Sequence, residues 1–189
     1  MRLNLPFRAA VCRATAVIAL AGPLAFGPSA QAATQGTQGA TSTGTVGISA
    51  SVPSRVRITG LADVAFTNQD PAVAAVDAQD VCVWSNTATK GYSITATGSG
   101  SASAFSLSNG STTVPYTVQW SAAAGNTSGS ALTAGTAATG LVSVASNGLC
   151  ASGPANSASL IVGIGTTDLG AMQAGTNYTG TLTLVVAPE

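Results

Sequence analysis

The residues that could carry out chemistry are few, and they do not form a recognisable catalytic set. The 189 residues include no histidine, so a serine or cysteine nucleophile lacks an imidazole base. Asp77 and Asp80 lie three residues apart in the turn-like stretch "VDAQD". They are either two solvated loop acids or part of a calcium site. Asp168 follows two threonines and is predicted to cap a helical turn. We therefore expect no enzymatic activity, no cofactor and no metal.

The first 32 residues have the organisation of a signal peptide. Three arginines within the first 13 residues precede the short apolar run "ATAVIALAGPLAF" and the small-residue motif "AQA", which predicts cleavage after Ala32. The apolar run is too short for a membrane span and is interrupted by Gly22 and Pro23. The sequence therefore predicts an exported protein whose mature chain has no membrane span.

The mature chain is mildly acidic and keeps an even number of cysteines. Three basic and six acidic residues remain after position 32, so the formal charge is −3. Because no basic patch remains, nucleic acid is not an expected partner. Cys82 and Cys150 are the two remaining cysteines, and an exported protein favours a disulfide between them. A metal site, the competing interpretation, lacks other suitable ligands.

The two tryptophans allow a second kind of site. Trp84 and Trp120 both lie inside runs that alternate between apolar and polar residues. They are either core or half-buried sheet residues, or a sugar-stacking surface like that of a carbohydrate-binding module.

Nearly all of the chain after the leader consists of short alternating or β-branched runs. Gly, Ser, Asn and Pro separate these runs every eight to twelve residues, a spacing that is typical of an all-β sandwich. Residues 104–120 are predicted to be two strands joined by the turn "SNGS". Residues 121–140 are predicted to be a surface loop or a weak edge, and residues 166–175 are the one candidate for a helical turn.

The stretch "TSTGTVGISASVP", residues 41–53, has the pattern of a strand with one apolar face. Val46, Ile48, Ala50 and Val52 alternate with glycine, serine and threonine. The residues before it, 33–44, are predicted to be a flexible leader. A strand needs a partner for its amide groups and its apolar face. It is therefore either the first strand of this chain's own closed sandwich or a strand for another sheet.

Three segments in this order resemble one known family. They are residues 81–120 ("VCVWSNTATKGYSITATGSGSASAFSLSNGSTTVPYTVQW"), 174–189 ("AGTNYTGTLTLVVAPE") and 44–58 ("GTVGISASVPSRVRI"). Together they resemble the spore-coat-U-type subunits of archaic chaperone–usher pili, and CS1-type pilins are the next nearest. The chain departs from the pattern in two places. The first-strand segment has no cysteine, and the ending "VVAPE" lacks the penultimate tyrosine of better-studied pilins.

The resemblance implies an incomplete immunoglobulin-like β-sandwich with an N-terminal donor-strand extension. In such pilins the missing last strand leaves a groove, which a periplasmic chaperone fills first and the extension of the next subunit fills later, at the outer-membrane usher. Carried onto this chain, Val46, Ile48, Ala50 and Val52 enter the neighbour's groove. The first-strand segment, Val56–Phe66, and the last strand, Tyr178–Val186, flank this subunit's own groove. The flanking side chains are Val56, Ile58, Tyr178, Leu182, Leu184 and Val186.

The predicted organisation is therefore a signal peptide (1–32), a flexible leader with the donor strand (33–53) and a pilin-like β-sandwich domain (54–189). The implied function is that of a structural subunit of a pilus or fimbria. It would pass through the periplasm to the cell surface and support adhesion and biofilm formation. A shaft or minor shaft subunit is favoured over a tip adhesin, because a tip adhesin usually adds a second domain; a minor or tip adhesin subunit is the alternative within the family. The alternative from another class is a secreted carbohydrate-binding β-sandwich.

Overall fold

The computed structural model describes residues 32–151 and 155–189. The signal peptide predicted for residues 1–32 lies outside this part of the chain, except for Ala32. The chain divides into a segment that ends at Ser51 and a compact unit, Val52–Glu189. The compact unit is almost wholly β, which confirms the predicted all-β class. Its strands are β1 (Val56–Thr59), β2 (Ala75–Ser85), β3 (Gly91–Gly98), β4 (Ser106–Ser108), β5 (Thr113–Pro115), β6 (Thr117–Ser121), β7 (Ser130–Ala131), β8 (Ala137–Val142), β9 (Ala158–Ile164) and β10 (Leu182–Pro188).

These strands form two antiparallel sheets and a small ribbon. The larger sheet has the order β1-β2-β9-β6-β7, the smaller has the order β10-β3-β8, and β4 pairs with β5. One cluster of buried side chains includes residues of both sheets, among them Val83 of β2 and Ile94 of β3. The two sheets therefore share a single core, and β1 and β10 are edge strands.

The central strand of the larger sheet is buried along its whole length. All seven residues of β9, "ASLIVGI", are buried, and β9 lies between β2 and β6. Within the core, the indole Nε1 of Trp120 donates a hydrogen bond of 3.0 Å to the hydroxyl of Tyr92. This bond joins β6 of one sheet to β3 of the other, and it satisfies two polar groups that would otherwise be buried without partners.

The hairpin predicted at "SNGS" is confirmed. Strands β4 and β5 pair from Ser108 opposite Thr113. In the turn between them, Asn109 Oδ1 accepts hydrogen bonds from the amides of Ser111 and Thr112. Gly110 has a φ of +96°, which a side chain would strain.

The helical turn predicted in residues 166–175 is also confirmed, as α1 (Thr166–Gly170). The capping role predicted for Asp168 is wrong, because Gly165 is the N-cap residue and no side chain caps this end. Asp168 lies instead in the first turn, where a carboxylate is favourable because of the helix dipole.

A short 3₁₀ turn, Ser101–Ser103, was not predicted. Residues 121–140 contain the two-residue edge strand β7 and the beginning of β8, in agreement with a weak edge.

Candidate functional site

Strand β1 presents a short apolar edge to one side of the core. Val56 and Ile58 are partly buried and pack against the core, whereas Arg57 between them is exposed. The strand pairs with β2, Val56 lying opposite Ser85, and its other edge has no strand partner among the described residues. A row of unpaired backbone groups beside apolar side chains is a template for another strand.

The predicted first strand, Val56–Phe66, is shorter than expected and ends at Thr59. Gly60 follows with a φ of +85° and turns the chain out of the strand. Beyond this turn, the side-chain amide of Gln79 forms the two backbone hydrogen bonds of Ala62 that a neighbouring strand would otherwise form. Its Oε1 accepts from the Ala62 amide at 2.7 Å, and its Nε2 donates to the Ala62 carbonyl at 3.0 Å. Val64 and Phe66, further along, still pack partly buried against the core.

Strand β10 presents the longer apolar edge. Its residues alternate strictly between half-buried and exposed, and Leu182, Leu184 and Val186 pack against the core. The strand pairs with β3 from Leu182 opposite Gly98 to Pro188 opposite Tyr92. Its other edge also has no strand partner within the described residues.

The two edge strands are neighbours, although neither pairs with the other. They run in opposite directions along the molecule. Strand β1 begins beside Ser85, and β10 ends beside Tyr92, so both of these points lie near the turn that joins β2 to β3. Two apolar, unpaired edges therefore lie next to each other over one shared core.

The predicted last strand also has different limits, because it begins at Leu182 rather than Tyr178 and continues to Pro188. Tyr178 lies before the strand and belongs to a loop contact. Its hydroxyl bonds to Thr112 Oγ1 at 2.9 Å and accepts from the Gln173 amide at 3.1 Å. These two hydrogen bonds lower the pKa of the Tyr178 hydroxyl, the Thr112 bond having the larger effect.

The segment predicted to be a donor strand is exposed. Val46, Ile48 and Val52 have exposed fractions of 78%, 93% and 84%, and Ala50 is exposed as well. Residues 46–52 form no strand, although Thr34 and Thr45 just before them are joined by two backbone hydrogen bonds of 3.0 Å. The period-two pattern thus has no sheet to join within the described residues, and its apolar side chains face solvent.

The predicted disulfide between Cys82 and Cys150 is present. Their Cα atoms are 6.2 Å apart, and both cysteines are buried with Ala145 in a second apolar cluster against which Trp84 packs. The other face of the same part of β2 carries Val81 and Val83 into the main core. The disulfide therefore attaches the chain around Cys150 to β2 of the larger sheet, where Cys82 lies opposite Thr59 of β1.

The turn-like interpretation of "VDAQD" is wrong, because Asp77 and Asp80 lie within β2. Residues three apart in a strand point to opposite faces of the sheet, so these two carboxylates cannot share one calcium ion. Among the described residues, no group of three histidine, cysteine or acidic side chains is placed to hold a metal.

Asp80 instead attaches a loop to the larger sheet. Its Oδ1 accepts hydrogen bonds of 2.7 Å from the Gly125 amide and from Ser159 Oγ. The Gly125 amide first, and then the Ser159 hydroxyl, lower the pKa of this carboxyl group below its ordinary value. The ionised form is therefore the one that stabilises the loop.

We expect the variant Asp80→Asn to be less stable than the natural protein at neutral pH and less sensitive to acid. Because the folded pKa is depressed, the stabilisation is complete above the unfolded value of about 3.9 and is lost as the pH falls through the folded pKa. Melting temperatures measured between neutral pH and about pH 2 test this, with Asp63→Asn as the matched control. Parallel pH profiles for the natural protein and Asp80→Asn would contradict it.

The structure also bears on the tryptophans. Trp120 is 2% exposed and cannot stack on a sugar, and Trp84 is partly buried against the disulfide cluster.

No helix of the described residues is long and apolar enough to cross a membrane. Comparison with known protein families finds none that matches this chain, and comparison with curated proteins finds no match either.

Proposed function

We propose that this protein is a structural subunit of a chaperone–usher pilus or fimbria and that it polymerises by donor-strand complementation. The observation that carries the proposal is the pair of unpaired apolar edges, β1 and β10, in a chain that also exposes an apolar, alternating segment. In this proposal the compact unit is an immunoglobulin-like sandwich without its last strand. Residues 46–52 of one copy complete the sandwich of the next.

Apolar burial supplies a large part of the energy of such a joint. Burial of an exposed Val or Ile side chain contributes about 1.5–3 kcal/mol, so Val46, Ile48 and Val52 together contribute roughly 5–9 kcal/mol before ordering costs. Backbone hydrogen bonds to both edges add to this. The side chains of Leu184 and Val186, half-buried in the free chain, lose further contact with water.

The arrangement leads to an open fibre rather than a closed dimer. The segment that is inserted and the edges that receive it are different surfaces of the same chain, and such heterologous contacts continue without closing. In this proposal a periplasmic chaperone covers the edges first, and an outer-membrane usher exchanges its strand for that of the next subunit. The fibre then serves surface attachment and biofilm formation, with this chain as a shaft subunit.

The test is a peptide of residues 41–53 added to the domain of residues 54–189. We expect the peptide to raise the melting temperature by about 10 °C or more at saturating concentration and to form a complex that resists SDS. The matched peptide with Ile48→Asp has no such effect, because it places a carboxylate in the apolar groove. A domain that melts at the same temperature with either peptide would refute the proposal and favour a self-contained secreted sugar-binding sandwich.

A further inference from the structure

All the basic residues that follow position 32 lie at one end of the compact unit. They are Arg55, Arg57 and Lys90, and all three are exposed. The Arg55 amide donates to Asn86 Oδ1 at 2.6 Å, Arg57 lies opposite Trp84 near the end of β2, and Lys90 lies in the connection from β2 to β3. We call this the basic end. Glu189 also lies here, since its amide bonds to the Gly91 carbonyl.

Acidic residues occupy the other end of the same unit. Asp77 is eight residues from Ser85 along β2, which is about 27 Å. Asp70 lies in the turn just before β2, where its carbonyl accepts from the Val73 amide. Asp168 lies in α1, directly after β9. We call the region of Asp70, Asp77 and Asp168 the acidic end.

The direction of the strands decides which ends meet in a fibre. Residues 46–52 are followed in the chain by β1, which begins at the basic end. When these residues are inserted into a neighbouring copy, the point at which they leave that copy therefore lies next to the basic end of the copy that donates them. Strand β10 of the receiving copy runs toward that copy's basic end. A segment inserted antiparallel to β10 therefore leaves the receiving copy at its acidic end, whereas a parallel insertion leaves at its basic end.

Two independent effects favour the antiparallel insertion. A segment that is antiparallel to β10 is parallel to β1, because the two edges run in opposite directions. Antiparallel pairing is slightly more stable per residue than parallel pairing, and β10 is the longer edge, with seven residues against four in β1. It also brings the basic end of one copy to the acidic end of the next, whereas parallel insertion brings two basic ends together. Opposite charges on facing surfaces speed association and fix the register of the partners.

We propose that the basic end of each subunit docks on the acidic end of the next copy of this chain, and that this charge polarity sets the direction and rate of fibre growth. The inference rests on the proposed function and adds a second contact to the inserted strand. It assigns the exposed charges of Arg55, Lys90 and Asp70 and the half-buried Asp168 to a subunit interface.

The experiment compares four forms of the mature chain, residues 33–189. They are the natural chain, a basic-end variant (Arg55→Glu with Lys90→Glu), an acidic-end variant (Asp70→Lys with Asp168→Lys) and a charge-swapped variant with all four substitutions. Fibre growth is followed by light scattering in about 20 mM and about 500 mM NaCl. A second version of each form carries Ile48→Asp and is tested for stabilisation by the peptide of residues 41–53.

We expect the natural chain to assemble about tenfold more slowly in about 500 mM NaCl than in about 20 mM NaCl. In about 20 mM NaCl, we expect the basic-end variant and the acidic-end variant each to assemble about tenfold more slowly than the natural chain. The charge-swapped variant recovers most of the rate, because its ends are again complementary. The inference is overturned if the charge-swapped variant assembles as slowly as the single-end variants, or if the assembly rate of the natural chain does not depend on salt. In either case the proposed function still stands, provided that the peptide stabilises the chain. If the peptide fails to stabilise the natural sequence, the proposed function fails and this inference fails with it.

Discussion

Replacement of Ile48 by Asp in the mature chain is expected to abolish fibre growth, whereas replacement of the adjacent Ser49 by Asp leaves growth within a few-fold of normal. Ile48 is 93% exposed in the free chain, so the substitution costs the isolated subunit little. In the proposed joint the same side chain is buried. The variant then loses about 1.5–3 kcal/mol of apolar burial, and burial of an unpaired carboxylate costs several kcal/mol more.

The comparison of the two substitutions tests the period-two pattern itself. Successive side chains of an inserted strand point to opposite faces, so Asp at position 49 faces water while Asp at position 48 faces the groove. Fibre length by electron microscopy and SDS-resistant ladders measure the outcome. Capture by the proposed periplasmic chaperone is the control, because the edges β1 and β10 are unchanged. Growth of the Ile48→Asp chain, or equal inhibition by both substitutions, would show that residues 46–52 are not the donor.

The parts of the fold that could be predicted from the sequence are those whose pattern is local. Strand β10 alternates in burial along its length, and its first three residues, "LTL", alternate in sequence as well. The hairpin at "SNGS" depends on Asn109 and Gly110, whose turn chemistry is specific. The apolar edges could be predicted for the same reason. Val56 and Ile58 on one side and Leu182, Leu184 and Val186 on the other are recognisable as alternating residues before any strand order is known.

The parts that could not be predicted depend on contacts far apart in the sequence. "VDAQD" has the composition of a turn, yet seven residues of β2 from Ala75 to Val81 pair with β9, and this pairing overrides local propensity. Gln79 forms hydrogen bonds with the backbone of Ala62, an arrangement that no pattern around either residue indicates. The strand that begins at Val56 ends early because Gly60 turns the chain out of it, and the Gln79 contact holds the chain after that turn.

Removal of the disulfide, by Cys82→Ala with Cys150→Ala, is expected to lower the free energy of unfolding by about 4 kcal/mol. The bond joins residues 68 positions apart, and a crosslink that closes a loop of this length restricts the unfolded chain by about that amount. The neighbouring chain keeps its own hydrogen bonds to β2 in this variant. Ser143 Oγ donates to the Val83 carbonyl, and Ser157 Oγ accepts from the Val83 amide and donates to the Val83 carbonyl, so the expected loss is that of the crosslink.

Urea denaturation of the Ile48→Asp chain, which is expected not to assemble, measures this loss without interference from assembly. The denaturant slope is expected to rise as well, because an uncrosslinked chain exposes more surface on unfolding. Reduction of the natural cysteines should give the same free energy as the double alanine variant, which separates the crosslink from the packing of the sulfur atoms. If the chain passes through the periplasm as proposed, the less stable variant is expected to be degraded there, so its yield should fall in parallel. Unchanged yield, together with free thiols in the native protein, would contradict the disulfide.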